Sequence, residues 1–95
     1  MVIPEGVTQI PDLAFYGCTS LNRVILPASL KEIAGFAFHG CESLGGIAIP
    51  KGMTAIGTST FFGCAKLKEV CLPEGITELP NQVFANCAQL KDVTI

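Results

Sequence analysis

Cys18, Cys41, Cys64 and Cys87 stand 23 residues apart, and so do Pro4, Pro27, Pro50 and Pro73, and Phe15, Phe38, Phe61 and Phe84. A fixed period of roughly 20–50 residues marks a chain wound into a solenoid, and it takes precedence over any local motif. Stacked on that period the chain reads "VIPEGVTQIPDLAFYGCTSLNR", "VILPASLKEIAGFAFHGCESLGG", "IAIPKGMTAIGTSTFFGCAKLKE", "VCLPEGITELPNQVFANCAQLKD" and a short "VTI". Four coils and a fifth strand therefore fill all 95 residues as a single domain.

The period also decides how the one histidine is read. His39 lies two residues before Cys41, which in isolation suggests a thiolate nucleophile or a metal site. The position of His39 holds Tyr16, Phe62 and Ala85 in the other coils, whereas the position of Cys41 holds cysteine in every coil. An active site occurs once, and a residue repeated in every coil packs. The cysteines read as small, buried, reduced apolar groups. Cysteines one coil apart come within disulfide range, but a packed column of parallel thiols favours the reduced form. Such a ladder does not converge on one point as a zinc site requires. No catalytic residue, metal ligand or cofactor is expected.

Each column has a physical assignment. Leu21, Leu44, Leu67 and Leu90, then Val24, Ile47, Val70 and Val93, then Ile3, Leu26, Ile49, Leu72 and Ile95 spell L-x-x-V-x-L. This is an alternating strand with one face inward, rich in β-branched residues. Proline follows, where it interrupts no ladder, and "PEG", "PKG", "PEG" predict a type I turn with Pro second and Gly fourth. Val7, Leu30, Met53 and Ile76, followed by Ile10, Ile33, Ile56 and Leu79, suggest a second short extended piece. A short α or 3-10 turn is expected next, with Phe pointing inward. Gly17, Gly40, Gly63 and Asn86 close it in the left-handed conformation that Gly and Asn share. Strands at about 4.8 Å per rung would stack into one curved parallel sheet roughly 20 Å across.

The pattern L-x-x-V-x-I-P-x-G-V-T-x-I-x-x-x-A-F-x-G-C resembles the BspA-like, or Treponema-type, leucine-rich repeats. Ser29, Thr60 and Asn86 depart from it mildly, as do Pro11 and Pro80, and none disturbs an aliphatic column. The resemblance implies an α/β leucine-rich-repeat solenoid: a right-handed coil with one curved parallel sheet and short helical or 3-10 turns opposite. It also implies a cell-surface or secreted setting, as an adhesin that binds host proteins, and no catalytic residues.

Composition narrows the partners. The net charge is −2, and the six Lys and Arg are scattered, so no basic patch for nucleic acid exists. No apolar run approaches the length of a membrane span, and "MVIPEGVTQI" lacks the n- and h-regions of a signal peptide. A protein ligand is the expected partner. The outward sheet column of Val2, Ile25, Ala48, Cys71 and Thr94, beside Arg23, Glu69 and Asp92, is the candidate surface, because exposed apolar strips mark interfaces. Within it, Arg23, Ile25, Ala48, Glu69, Cys71, Asp92 and Thr94 are the candidate protein-binding residues. The column of Tyr16, His39 and Phe62 is a second candidate. A competing reading is a structural spacer that stacks end to end as a homo-oligomer. The strand-like ends "MVIP" and "VTI" fit a piece of a longer array, since solenoids normally end in polar caps.

Overall fold

The computed structural model describes residues 1–94. Its five strands are β1 (Gln9–Ile10), β2 (Glu32–Ile33), β3 (Ala55–Ile56), β4 (Glu69–Cys71) and β5 (Asp92–Thr94). They form two parallel ladders rather than one sheet: a three-stranded ladder in the order β1-β2-β3 and a two-stranded ladder of β4 and β5. Isolated parallel bridges Val2↔Ile25 and Val24↔Ile47 join the first three coils at the corresponding strand positions. In both ladders the partners are 23 residues apart, as in Gln9↔Glu32 and Val70↔Val93. The repeat length is thus the register of the fold. The larger named ladder is the second extended piece, "TQI", "KEI" and "TAI". In coil four the corresponding "TEL" forms no strand, and Leu79 is 46% exposed, where Ile10, Ile33 and Ile56 are buried.

The expected helical turn is absent: the described residues contain no helix. Residues 12–17, 35–40, 58–63 and 81–86 form runs of turns instead. The reason lies in where the N–H groups go. Leu13, Phe15 and Gly17 donate sideways, to the carbonyls of Gly35, Ala37 and His39 in the next coil (3.2, 2.8 and 2.7 Å). Ala14, Tyr16 and Cys18 donate three residues back, to Pro11, Leu13 and Phe15. Every second donor therefore serves the neighbouring coil, whereas an α-helix would direct each one to its own i−4 carbonyl. Left-handed residues at Leu13, Phe36, Ser59 and Gln82 (φ 63, 60, 54 and 59) set this alternation in each coil. Gly17, Gly40, Gly63 and Asn86 are left-handed as anticipated.

The proline turn is displaced by one residue from its expected frame. Val7 N–H donates to the Pro4 carbonyl, and Leu30, Met53 and Ile76 donate likewise to Pro27, Pro50 and Pro73. Proline is therefore first in the turn, and the Gly column is third. Gly6 has φ +97 there, the geometry of a type II turn. Gly75 serves a different purpose, since a Cβ on it would lie 2.9 Å from the Met53 carbonyl oxygen. Ser29 takes the Gly place in coil two and joins it to coil one: its hydroxyl donates to the Val7 carbonyl (2.8 Å) and accepts from Gly6 N–H (3.0 Å).

The core is the set of inward columns. Phe38, Phe61, Leu44, Leu67, Leu30, Met53, Cys41 and Cys64 are fully buried in the two middle coils. Phe15, Phe84, Leu21 and Leu90 pack against this cluster half-buried. The Phe rings stack along the axis, with centroids 5.2, 5.6 and 5.9 Å apart and planes within 10° of parallel. Ile95, assigned by sequence to an inward column, lies outside the described residues.

Candidate protein-binding surfaces

His39 and Cys41 do not form a catalytic pair. The His39 ring is sandwiched between Tyr16 (4.8 Å) and Phe62 (4.7 Å), nearly parallel to both. The Cys41 thiol is buried and donates to the Phe15 carbonyl at 3.3 Å. Cys64 donates to Phe38 and Cys87 to Phe61 in the same way, at 3.3 and 3.1 Å. All five cysteines are free. Burial, with the neighbouring thiol Cys18 adding to it, pushes the Cys41 pKa up to about 11. Burial followed by Cys87 and Cys41 pushes that of Cys64 to about 12. A thiolate nucleophile needs the opposite shift. Among the described residues no three His, Cys, Asp or Glu side chains are grouped to hold a metal ion.

Two outward surfaces remain. The first is the sheet face read from strand alternation. Val2 is 67% and Ile25 45% exposed, paired across the first bridge, and Ala48 and Cys71 follow them outward. Arg23 and Glu69 are exposed on the same wall. β4–β5 pairing sets the backbone of Asp92 beside Glu69 and that of Thr94 beside Cys71. The pairings observed on this wall are therefore Val2 with Ile25 and Val24 with Ile47 at one end, and Glu69 with Asp92 and Cys71 with Thr94 at the other.

The second surface lies on the turn wall. Tyr16, His39 and Phe62 form the outward aromatic stack, and Phe36 leans on His39 at 5.7 Å and 43°. Beside the stack is an open depression of about 640 Å³ lined by Asp12, Leu13, Tyr16, Gly35 and Phe36. Tyr16 was legible as a column member. Leu13 and Phe36 were not, because their column continues as Ser59 and Gln82 and carries no repeated residue type. Their positive φ has no signature in a single coil.

Parallel ladders in 23-residue register, a continuous aliphatic core and lateral hydrogen bonds between successive coils define a leucine-rich-repeat solenoid. The chain belongs to the family described as BspA type leucine rich repeat region (6 copies), which matches residues 1–95. It is similar to a leucine-rich repeat protein of Bacteroides ovatus: 36% identity, TM-score 0.93, covering 99% of this chain and 24% of that one. It is similar to a leucine rich cell surface protein of Faecalibacterium prausnitzii, at 38% identity and TM-score 0.90 over 98% of this chain and 26% of that one. The T. pallidum leucine rich repeat protein matches at 34% identity and TM-score 0.79, over 97% of this chain and 56% of that one. The chain therefore spans from about a quarter to about half of these proteins. No curated protein sequence matches it. Leucine-rich repeats in general mediate protein interactions and are not enzymes, and among the described residues no helix is long and apolar enough to cross a membrane.

Proposed function

We propose that the chain is a protein-binding module of a cell-surface or secreted adhesin-like protein, gripping an extracellular host protein through its sheet face. Arg23, Ile25, Ala48, Glu69, Cys71, Asp92 and Thr94 supply the contact. The observation that carries the reading is the exposed apolar column that begins with Val2 and Ile25, flanked by charged residues that vary from coil to coil. An apolar centre with a polar rim is the anatomy of a protein interface. The similarity to a cell surface protein of F. prausnitzii supports the location.

Binding to immobilised host extracellular-matrix proteins, measured for the native chain and for Ile25→Asp and Ala48→Lys, tests this. Both positions are solvent-exposed, so the fold should survive. Loss of binding in both variants supports the sheet face. Unchanged binding rejects that face, and no binding by the native chain rejects the adhesin reading.

A second reading is that of a stacking element, favoured by the polarity of the coil junctions. In the turn wall each coil donates from its N–H groups to the carbonyls of the next. The fourth coil therefore offers the N–H groups of Gln82, Phe84 and Asn86, and the first offers the carbonyls of Asp12, Ala14 and Tyr16. A further coil, from the same chain or from a second copy, fits either face. Concentration-dependent sizing distinguishes the two sources.

A further inference from the structure

We infer that the depression on the turn wall is a recognition site for an arginine side chain presented by a partner polypeptide. It is separate from the sheet face and does not depend on it.

The first observation is the state of Leu13 and Phe36. Both hold left-handed φ, 63 and 60, which large side chains rarely adopt. Both are also solvent-exposed, at 55% and 40%. Coils three and four place Ser59 and Gln82 at the same φ, so the fold does not need an apolar side chain there. Two large apolar groups are therefore held in water, on an unfavourable backbone, where polar residues also serve. The left-handed backbone recurs in every coil and belongs to the fold, so it is the exposed apolar bulk confined to these two coils that points toward a ligand.

The second observation is the chemistry of the lining. Leu13, Phe36 and Tyr16 form apolar and aromatic walls around Gly35, and Asp12 contributes a carboxylate. The positions equivalent to Asp12 in the other coils are Gly35, Thr58 and Asn81, so the column supplies no cation to neutralise it. An apolar trough with one carboxylate is complementary to a long aliphatic stem that ends in a positive charge. Arginine fits better than lysine. Its planar guanidinium stacks on an aromatic face and bonds a carboxylate through two parallel N–H groups, and Tyr16 and Asp12 line the trough together. Tyr16 is already ordered by its stack on His39, so the site is built before the ligand arrives.

The test is a titration of the native chain with acetyl-Gly-Arg-Gly-amide, followed by amide chemical shifts. A control peptide carries citrulline, which keeps the shape and removes the charge. Saturable shifts at Asp12, Leu13, Tyr16 and Phe36 are expected, with Kd in the roughly millimolar range suited to one side chain. Citrulline should bind several-fold more weakly. Asp12→Asn should weaken the arginine peptide by roughly two- to fivefold, as for an exposed ion pair. Phe36→Ser adopts the residue of Ser59 at the same φ, and should keep its fold and lose the shifts. Ile25→Asp should leave the titration unchanged, so this site and the sheet face stand or fall separately. The inference is overturned by the absence of saturable shifts with the arginine peptide. It is overturned equally by citrulline binding as tightly, or by Asp12→Asn binding as the native chain does.

Discussion

The Cys64 thiol donates to the carbonyl of Phe38, 26 residues earlier, at 3.3 Å. That carbonyl belongs to the buried middle of the preceding coil, and it also accepts from the Cys41 N–H. The thiol adds a second, lateral bond. The cysteine column is therefore a line of weak donors as well as a line of small apolar groups.

This relationship changes what a serine should do in the column. From sequence alone, a hydroxyl there would be an unpartnered polar group and worse than alanine. With the Phe38 carbonyl in place, Cys64→Ser keeps a partner, whereas Cys64→Ala loses the donor and packing volume. Alanine should cost about 1–3 kcal/mol and serine no more than alanine. Urea denaturation of both variants checks the order, and a serine variant clearly weaker than alanine would show that the thiol bond contributes nothing.

The raised thiol pKa values set a pH limit on stability. The unfolded thiols ionise near 9.0, and the folded Cys41 and Cys64 near about 11 and about 12. Above pH 9 the unfolded chain loses protons that the folded chain keeps, so stability is full below that value and declines as pH rises toward 11–12. Denaturation midpoints measured under reducing conditions from pH 7 to about pH 11 should fall, and the fall should be shallower in Cys41→Ala. A flat profile in the native chain would contradict the burial of these thiols.

Position along the Phe stack should grade the cost of truncation. Phe38→Ala empties a fully buried site and should cost about 3–5 kcal/mol. Phe15→Ala, at a half-buried site in the first coil, should cost visibly less. Equal losses would mean that the first coil is as well packed as the second.

Cys71 should react with a bulky thiol reagent in the folded state while Cys41 and Cys64 stay protected, because Cys71 is exposed and the other two are buried. Mass spectrometry of partly labelled protein reads this directly. Faster labelling of Cys41 would reverse the inside and outside faces of the strand.

Leu13→Gly should stabilise the chain or leave it unchanged, since glycine takes the left-handed backbone without the cost of roughly 1–2 kcal/mol that a side chain carries. The exposed leucine loses little burial in exchange. A lower melting temperature would mean that Leu13 packs more than its exposure suggests.

The parts of this fold that a repeated residue type marks were legible in the sequence. The inward columns, except at Leu79 and Val93 in the last part of the chain, which are exposed, follow from residue types repeated in line, as do the 23-residue register and the left-handed Gly17, Gly40, Gly63 and Asn86. The turn wall was misread as helical because its defining bonds join different coils. The N–H of Phe15 finds its acceptor at Ala37, a fact that no single coil contains. The proline turn slipped by one residue for a related reason: Pro-x-Gly suits two frames equally, and the bond from Val7 to Pro4 decides between them. Of the candidate surfaces, the sheet column was suggested by alternation alone. The Leu13 and Phe36 walls were hidden because they break the repeat instead of following it.

The 23-residue register shared by the strand pairings has a consequence for how such a gene can change. Removing 23 consecutive residues, such as 24–46, brings Ile47 to the place of Val24 and Phe61 to the place of Phe38, and each ladder closes again in the same register. Removing 22 shifts every inward side chain after the cut to the opposite face of its strand. Length can therefore vary freely in whole coils, and the exposed columns can be reshuffled as units without redesign of the interior.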